Sequence, residues 1–136
     1  MPKNYFYLAV GILCVLFAVT HTLNGISASL PALDNSTIDN NAKAVFTYVW
    51  HIIGIENLVI GITLLIMSFQ KDLLKVKFAA WVIIALLAMR WLVIAIITLK
   101  SNGCDLIQIL PDTVAIFVVI VLIVIGTRTK AKIEIK

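Results

Sequence analysis

The chain has 136 residues, of which 62% are hydrophobic and 13% are charged. Soluble domains are about half apolar and about a quarter charged, so this composition excludes a water-soluble globular domain and indicates a protein embedded in the lipid bilayer. The net charge of +4 does not indicate a nucleic-acid partner, because the basic residues fall at the ends of apolar segments, where they set membrane topology.

Four apolar segments are each long enough to cross a bilayer, which takes about 20 helical residues. We predict membrane-spanning helices over residues 5–26, 44–69, 76–99 and 109–127. The polar segments 27–43 and 100–108 are predicted as loops on one side of the membrane, and a tight turn joins helices two and three on the other. The prediction is one all-α domain over residues 1–136, a four-helix membrane bundle with antiparallel neighbours.

The distribution of basic residues predicts the orientation of this bundle. Loops on the cytoplasmic side of a membrane carry an excess of lysine and arginine. The side that holds both termini and the tight turn has the residues Lys3, Lys71, Lys75, Lys77, Arg128, Lys130, Lys132 and Lys136. The other side has only Lys43 and Lys100. Both termini are therefore predicted to be cytoplasmic.

Two histidines are predicted to lie at similar heights in the outer half of the membrane. His21 and His51 are nearly symmetric about the middle of the first loop, and each shares a helix face with small residues. Such faces allow membrane helices to pack closely. We therefore predict that helices one and two pack along these faces with both imidazoles directed inward. The faces comprise Gly11, Cys14, Ala18 and Gly25 on helix one, and Thr47, Gly54 and Gly61 on helix two.

Glu56 and Arg90 are nearly symmetric about the tight turn between helices two and three. Both are predicted to lie near the middle of the membrane, where an isolated charge is costly. Pairing a carboxylate with a guanidinium lowers that cost for both groups. The sequence therefore predicts a structural ion pair between Glu56 and Arg90.

A buried polar site in the outer half of the bundle is the functional hypothesis that we favour. Polar groups at two depths suit an amphiphilic molecule or lipid that is bound, or a small solute that is transported. Four helices make a narrow passage, so transport would require a homodimer or a larger complex. The predicted ligand-binding residues are His21, Asn24, His51, Glu56, Asn57 and Arg90, with Trp50 and Trp91 as walls.

Two alternatives come from other classes of protein. In one, the chain is a non-catalytic accessory subunit of a membrane complex, and the polar cluster only organises helix contacts. In the other, His21 and His51 are the axial ligands of a b-type haem. A metal centre is disfavoured because Glu56 lies about 140° around the helix from His51. No nucleophile is placed at the height of the histidines, so the sequence does not favour an enzyme.

Overall fold

The computed structural model describes residues 2–100, 107 and 109–128, and only the backbone of Leu73 and Leu74. Predictions that concern residues 101–106, 108 and 129–136 lie outside the described residues. They include most of the second predicted loop and the tail residues Lys130, Lys132 and Lys136.

Five α-helices and one π-helical segment make up nearly all of the described chain. They are α1 (Tyr5–Asn24), the π-helical segment Gly25–Ser29, α2 (Leu30–Asp34), α3 (Asn40–Phe69), α4 (Leu73–Lys100) and α5 (Leu110–Arg128). Within the described residues, four helical stretches are long and apolar enough to span a membrane: Tyr5–Asp34, Asn40–Phe69, Lys75–Lys100 and Leu110–Arg128. This confirms the predicted all-α fold with four membrane-spanning helices.

The connection between the first two spans is shorter than the predicted loop 27–43. The first helix does not end at Ile26 but continues through the π-helical segment to Asp34, and α3 already begins at Asn40. The Leu30 N–H donates to the carbonyl of Gly25, and Pro31 lies in the first turn of α2, where a missing N–H costs little. Proline therefore continues this helix, whereas its presence in the sequence indicated a loop.

Side-chain caps define the remaining five-residue connection, 35–39. Asp39 Oδ1 accepts the N–H groups of Asn41 and Ala42 at 2.9 and 3.1 Å, which begins α3. Lys43 Nζ donates to the carbonyl of Asp34 at 2.7 Å. The two ends of the connection are thus held together by one charge-assisted hydrogen bond.

The chain divides into two compact units. The hairpin unit is Gly11–Leu65 and contains most of α1 and α3. The terminal unit comprises the residues up to Val10 and from Ile66 onward.

In the terminal unit α4 and α5 pack against each other, and each helix buries apolar side chains. The buried apolar residues of these two helices are Val76, Ala80, Ile83, Ile84, Leu87, Ile116, Val119 and Ile123. Trp91 packs edge-to-face on Phe117, with 5.2 Å between ring centroids, and its Nε1 donates to Thr113 Oγ1 at 3.2 Å. The indole N–H of Trp91 is thereby satisfied within the membrane.

The start of α1 is anchored to the rest of the terminal unit. Asn4 caps the helix, since its Oδ1 accepts the N–H groups of Phe6 and Tyr7 at 3.1 and 3.2 Å. Its Nδ2 donates to the carbonyl of Gly126 at 2.8 Å. The Tyr7 ring lies directly on Gly126, where an added Cβ would come within 2.5 Å of Tyr7 Cε1.

Candidate functional site

In the hairpin unit, α1 and α3 approach each other at their glycines. A Cβ on Gly61 would lie 2.9 Å from the carbonyl oxygen of Gly11 and 2.9 Å from the backbone nitrogen of Val15. A Cβ on Gly11 would in turn lie 2.9 Å from the backbone nitrogen of Leu65. Because backbone atoms cannot move aside as side chains do, both positions require glycine at this spacing. The predicted packing of these helices along small residues is confirmed here.

Towards the other end of the hairpin unit, His21 and Trp50 form two reciprocal hydrogen bonds. His21 Nε2 donates to the Trp50 carbonyl at 3.0 Å, and Trp50 Nε1 donates to the His21 carbonyl at 3.2 Å. Their rings stack with centroids 4.4 Å apart and planes 13° apart. We call this pair the His–Trp clamp. It joins the two helices and satisfies both ring N–H groups inside the membrane.

Gly25 makes room for the His–Trp clamp. Gly25 is buried, and a Cβ at this position would collide with Nε1 and Cδ1 of the Trp50 indole. The π-helical segment also begins at Gly25, one turn after His21. Any larger residue at position 25 would therefore displace the indole from His21.

A groove of about 450 Å³ follows one side of α1 and α3 within the hairpin unit. Small residues create it, because Ala18 and Gly54 are buried at its floor and cannot fill the space between larger neighbours. Its lining residues are Ala18, Val19, Thr22, Leu23, His51, Gly54, Ile55 and Leu58. Thr22 and His51 are its polar members, and the Thr22 hydroxyl already donates to the Ala18 carbonyl at 2.9 Å.

His51 is exposed on this groove, which differs from the predicted inward orientation. The inward prediction holds for His21 and is wrong for His51. Successive residues of an α-helix are rotated by about 100°, and Trp50 rather than His51 is the residue of α3 that faces His21. In addition, no hydrogen bond joins the His51 side chain to another residue in the described part of the chain.

Of the eight predicted ligand-binding residues, His51 is the one that lines the groove. His21 and Trp50 form the clamp, and Asn24 is exposed on α1. Glu56 and Asn57 are half-buried in the hairpin unit, whereas Arg90 and Trp91 are half-buried on α4 in the terminal unit. The pairing of Glu56 with Arg90 stays a prediction.

Sequence reasoning missed the apolar wall of the groove, formed by Val19, Leu23, Ile55 and Leu58. These residues are ordinary for a membrane helix, so their composition gives no signal. The available signal was Trp50 at the height of Gly25, because a large ring opposite a glycine in a neighbouring helix indicates a contact.

The surroundings of His21 can be compared with what an axial haem ligand requires. The carbonyl of Trp50 occupies His21 Nε2, and the indole covers one face of the imidazole. An axial haem ligand needs a free ring nitrogen and space beside it. Among the described residues, no group of three or more His, Cys, Asp or Glu side chains is arranged to hold a metal ion.

No protein-family model, curated protein or solved structure matches this chain.

Proposed function

We propose that this multi-pass membrane protein binds an amphiphilic molecule, such as a single-chain lipid, in the groove of the hairpin unit. The polar end of the ligand hydrogen-bonds to His51, and its apolar part lies against Ile55 and Leu58. The observation that carries the proposal is an exposed histidine in a membrane-spanning helix with no hydrogen-bond partner among the described residues. In hydrocarbon such a group is costly unless another molecule bonds to it.

The size and position of the groove support this ligand class. Its volume of about 450 Å³ is within the range of about 300–1,000 Å³ that is typical of small-molecule sites. His51 is about 16 Å from the start of α3, and Leu58 is about 10 Å deeper, at 1.5 Å per residue. An amphiphile bound from the nearer membrane surface would thus have its polar group at His51 and its chain directed towards the membrane centre.

Native mass spectrometry of the purified protein in a mild detergent tests the proposal directly. We expect a stoichiometric lipid or metabolite adduct on the wild type that is lost in His51→Ala and in Leu58→Trp, which fills the groove. Because the His51 side chain is exposed, His51→Ala should change the thermal unfolding temperature little. Asn24→Ala is the matched control, since Asn24 is an exposed polar residue of the same unit that does not line the groove.

Two outcomes would contradict ligand binding at this groove. One is a wild-type protein without an adduct under conditions that preserve the ligands of control membrane proteins. The other is a set of adducts that is the same on the wild type and on both groove variants. Transport is a narrower form of the same proposal and adds the requirement for a dimer or larger complex, which the same spectrum measures.

The accessory-subunit alternative is favoured by a different observation, the His–Trp clamp. In the clamp, His21 joins two helices through its hydrogen bonds to Trp50, as expected of a polar cluster with a purely structural role. On this alternative the wild type carries no ligand in the groove, and the clamp variant His21→Ala lowers thermal stability whereas His51→Ala does not. The presence or absence of an adduct on the wild type therefore separates the two functions.

The cytoplasmic location of both termini is also part of our proposal. It is supported by the lysines at the N-terminus and around the turn between α3 and α4. Cysteine labelling from the outside tests it: Asn35→Cys should react with an impermeant reagent in intact cells, and Gln70→Cys should react only after lysis. The reverse pattern would invert the orientation.

A further inference from the structure

At one end of the terminal unit, the fold gathers basic side chains from three separate chain segments. The N–H groups of Lys3 and Asn4 donate to the carbonyl of Ser68 at 2.7 and 3.1 Å, which joins the N-terminal segment to the end of α3. Asn4 Nδ2 also bonds to the carbonyl of Gly126, which joins this segment to the last turn of α5. Arg128 ends that turn, so it lies at the same end as Lys3.

We call the exposed basic side chains at this end the basic end: Lys3, Lys71, Lys75, Lys77 and Arg128. Among the described residues here, Asp72 is the one acidic side chain, and its Oδ2 is 3.4 Å from Lys75 Nζ. Such an exposed pair is weak and leaves the lysine able to bind other anions. At the other end of the same unit, Lys100 and Asp112 balance in charge among the described residues.

Exposed apolar rings lie next to these lysines along α4. Phe78 is three residues after Lys75 and is 74% exposed, and Trp81 is four residues after Lys77 and is 55% exposed. Residues three or four apart share a helix face. Each of these lysines is therefore followed, further into the span, by an apolar ring on the same face. This order matches a phospholipid, whose phosphate lies at the surface and whose chains lie below it.

We propose that the basic end binds the headgroup of an anionic phospholipid, with its phosphate at Lys71, Lys75 and Lys77 and its acyl chains against Phe78 and Trp81. The rings favour a lipid over a free phosphate, because a soluble anion would gain nothing from them. This interaction involves the terminal unit and is separate from ligand binding in the groove.

Competition between lipids in native mass spectrometry tests this surface. The wild type in mild detergent is mixed with phosphatidylglycerol and phosphatidylcholine that carry identical acyl chains. We expect phosphatidylglycerol to be retained preferentially. A basic residue at a membrane surface is worth about a fivefold change in affinity for anionic lipid, so Lys71→Gln/Lys75→Gln/Lys77→Gln should lower retention on the order of a hundredfold.

Matched variants separate this site from general electrostatics. Lys100→Gln removes an exposed lysine from the other end of α4 and should change retention little. Phe78→Ala/Trp81→Ala keeps the charge and should still weaken retention. His51→Ala should leave phosphatidylglycerol binding unchanged, so failure here and failure of the groove are distinguishable. The altered side chains are exposed, and circular dichroism verifies that each variant is folded.

Three results would overturn the inference. Equal retention of the two lipids by the wild type would exclude a preference for anionic headgroups. Unchanged retention in the triple variant would place the lipid elsewhere. Displacement of phosphatidylglycerol by an equal concentration of soluble glycerol phosphate would assign the site to a soluble anion.

Discussion

The hairpin unit and the terminal unit bring helices together in different ways. In the hairpin unit, Gly11 and Gly61 let the backbones of α1 and α3 approach directly. In the terminal unit, α4 and α5 meet through large side chains such as Trp91 and Phe117, and Tyr7 packs on Gly126. Where small residues continue along this contact, at Ala18 and Gly54 in the hairpin unit, they do not fill the space between their larger neighbours. The groove is thus a consequence of packing with small residues.

The largest loss of stability should come from adding a methyl group where the backbones of α1 and α3 meet. Gly61→Ala places a Cβ against two backbone atoms, so the helices must separate, and we expect a loss of about 2–3 kcal/mol in the free energy of unfolding. Reversible unfolding in detergent, followed by circular dichroism, measures it. Gly54→Ala is the matched control in the same helix, because its Cβ would meet side-chain atoms and no backbone, with Thr22 Oγ1 at 3.1 Å and His21 Cδ2 at 3.7 Å. Equal losses in both variants would show that α1 and α3 do not depend on close backbone contact.

An intermediate loss of stability is expected from replacing Asn4 in the terminal unit. Asn4→Ala removes the cap of α1 and the hydrogen bond to the Gly126 carbonyl, which should cost about 1–2 kcal/mol. Asn4→Ser retains a capping oxygen without reaching Gly126 and should recover part of this loss. Thermal unfolding of the three proteins in one detergent makes the comparison. If Asn4→Ala is as stable as the wild type, the N-terminal segment does not stabilise this unit.

The smallest effect on the free energy of unfolding should be a gain, and it is expected from replacing Tyr7. The Tyr7 hydroxyl is buried and has no hydrogen-bond partner among the described residues. Removing an unsatisfied buried polar group is neutral or stabilising, so Tyr7→Phe should raise stability by up to about 1 kcal/mol. Tyr5→Phe alters an exposed tyrosine of the same turn and should change nothing. A destabilised Tyr7→Phe would mean that the hydroxyl is bonded in the membrane, for example to water.

Much of the fold could be predicted because hydropathy acts over whole segments. A stretch of about 20 apolar residues must be helical in lipid, whatever its neighbours are. The end of the first span could not be placed in this way. Pro31 and the small residues before it are typical of a loop, yet the π-helical segment continues the helix to Asp34. Local hydrogen bonding sets that boundary, and the mean hydropathy of a segment does not report it.

The candidate site was less predictable than the fold. His21 could be assigned to the contact between α1 and α3 because small residues share its helix face. For α3, the sequence offered Trp50 and His51 at nearly the same depth, and the two differ in direction by about 100°. A choice between adjacent residues requires the rotation of the helix about its axis, which the packing of Gly11 against Gly61 sets. His51 therefore lines the groove instead of facing His21.

The sequence by itself determined the helical class, the four spans and the concentration of basic residues at particular segment ends. Each of these follows from the cost of placing polar groups in hydrocarbon, a property of the residues and their order. The tertiary structure alone decided which side chains form the His–Trp clamp, where the groove lies, and that Asn4 joins the N-terminal segment to the last turn of α5. Those outcomes depend on contacts between residues far apart in the chain, and steric fit at a few glycines selects among them.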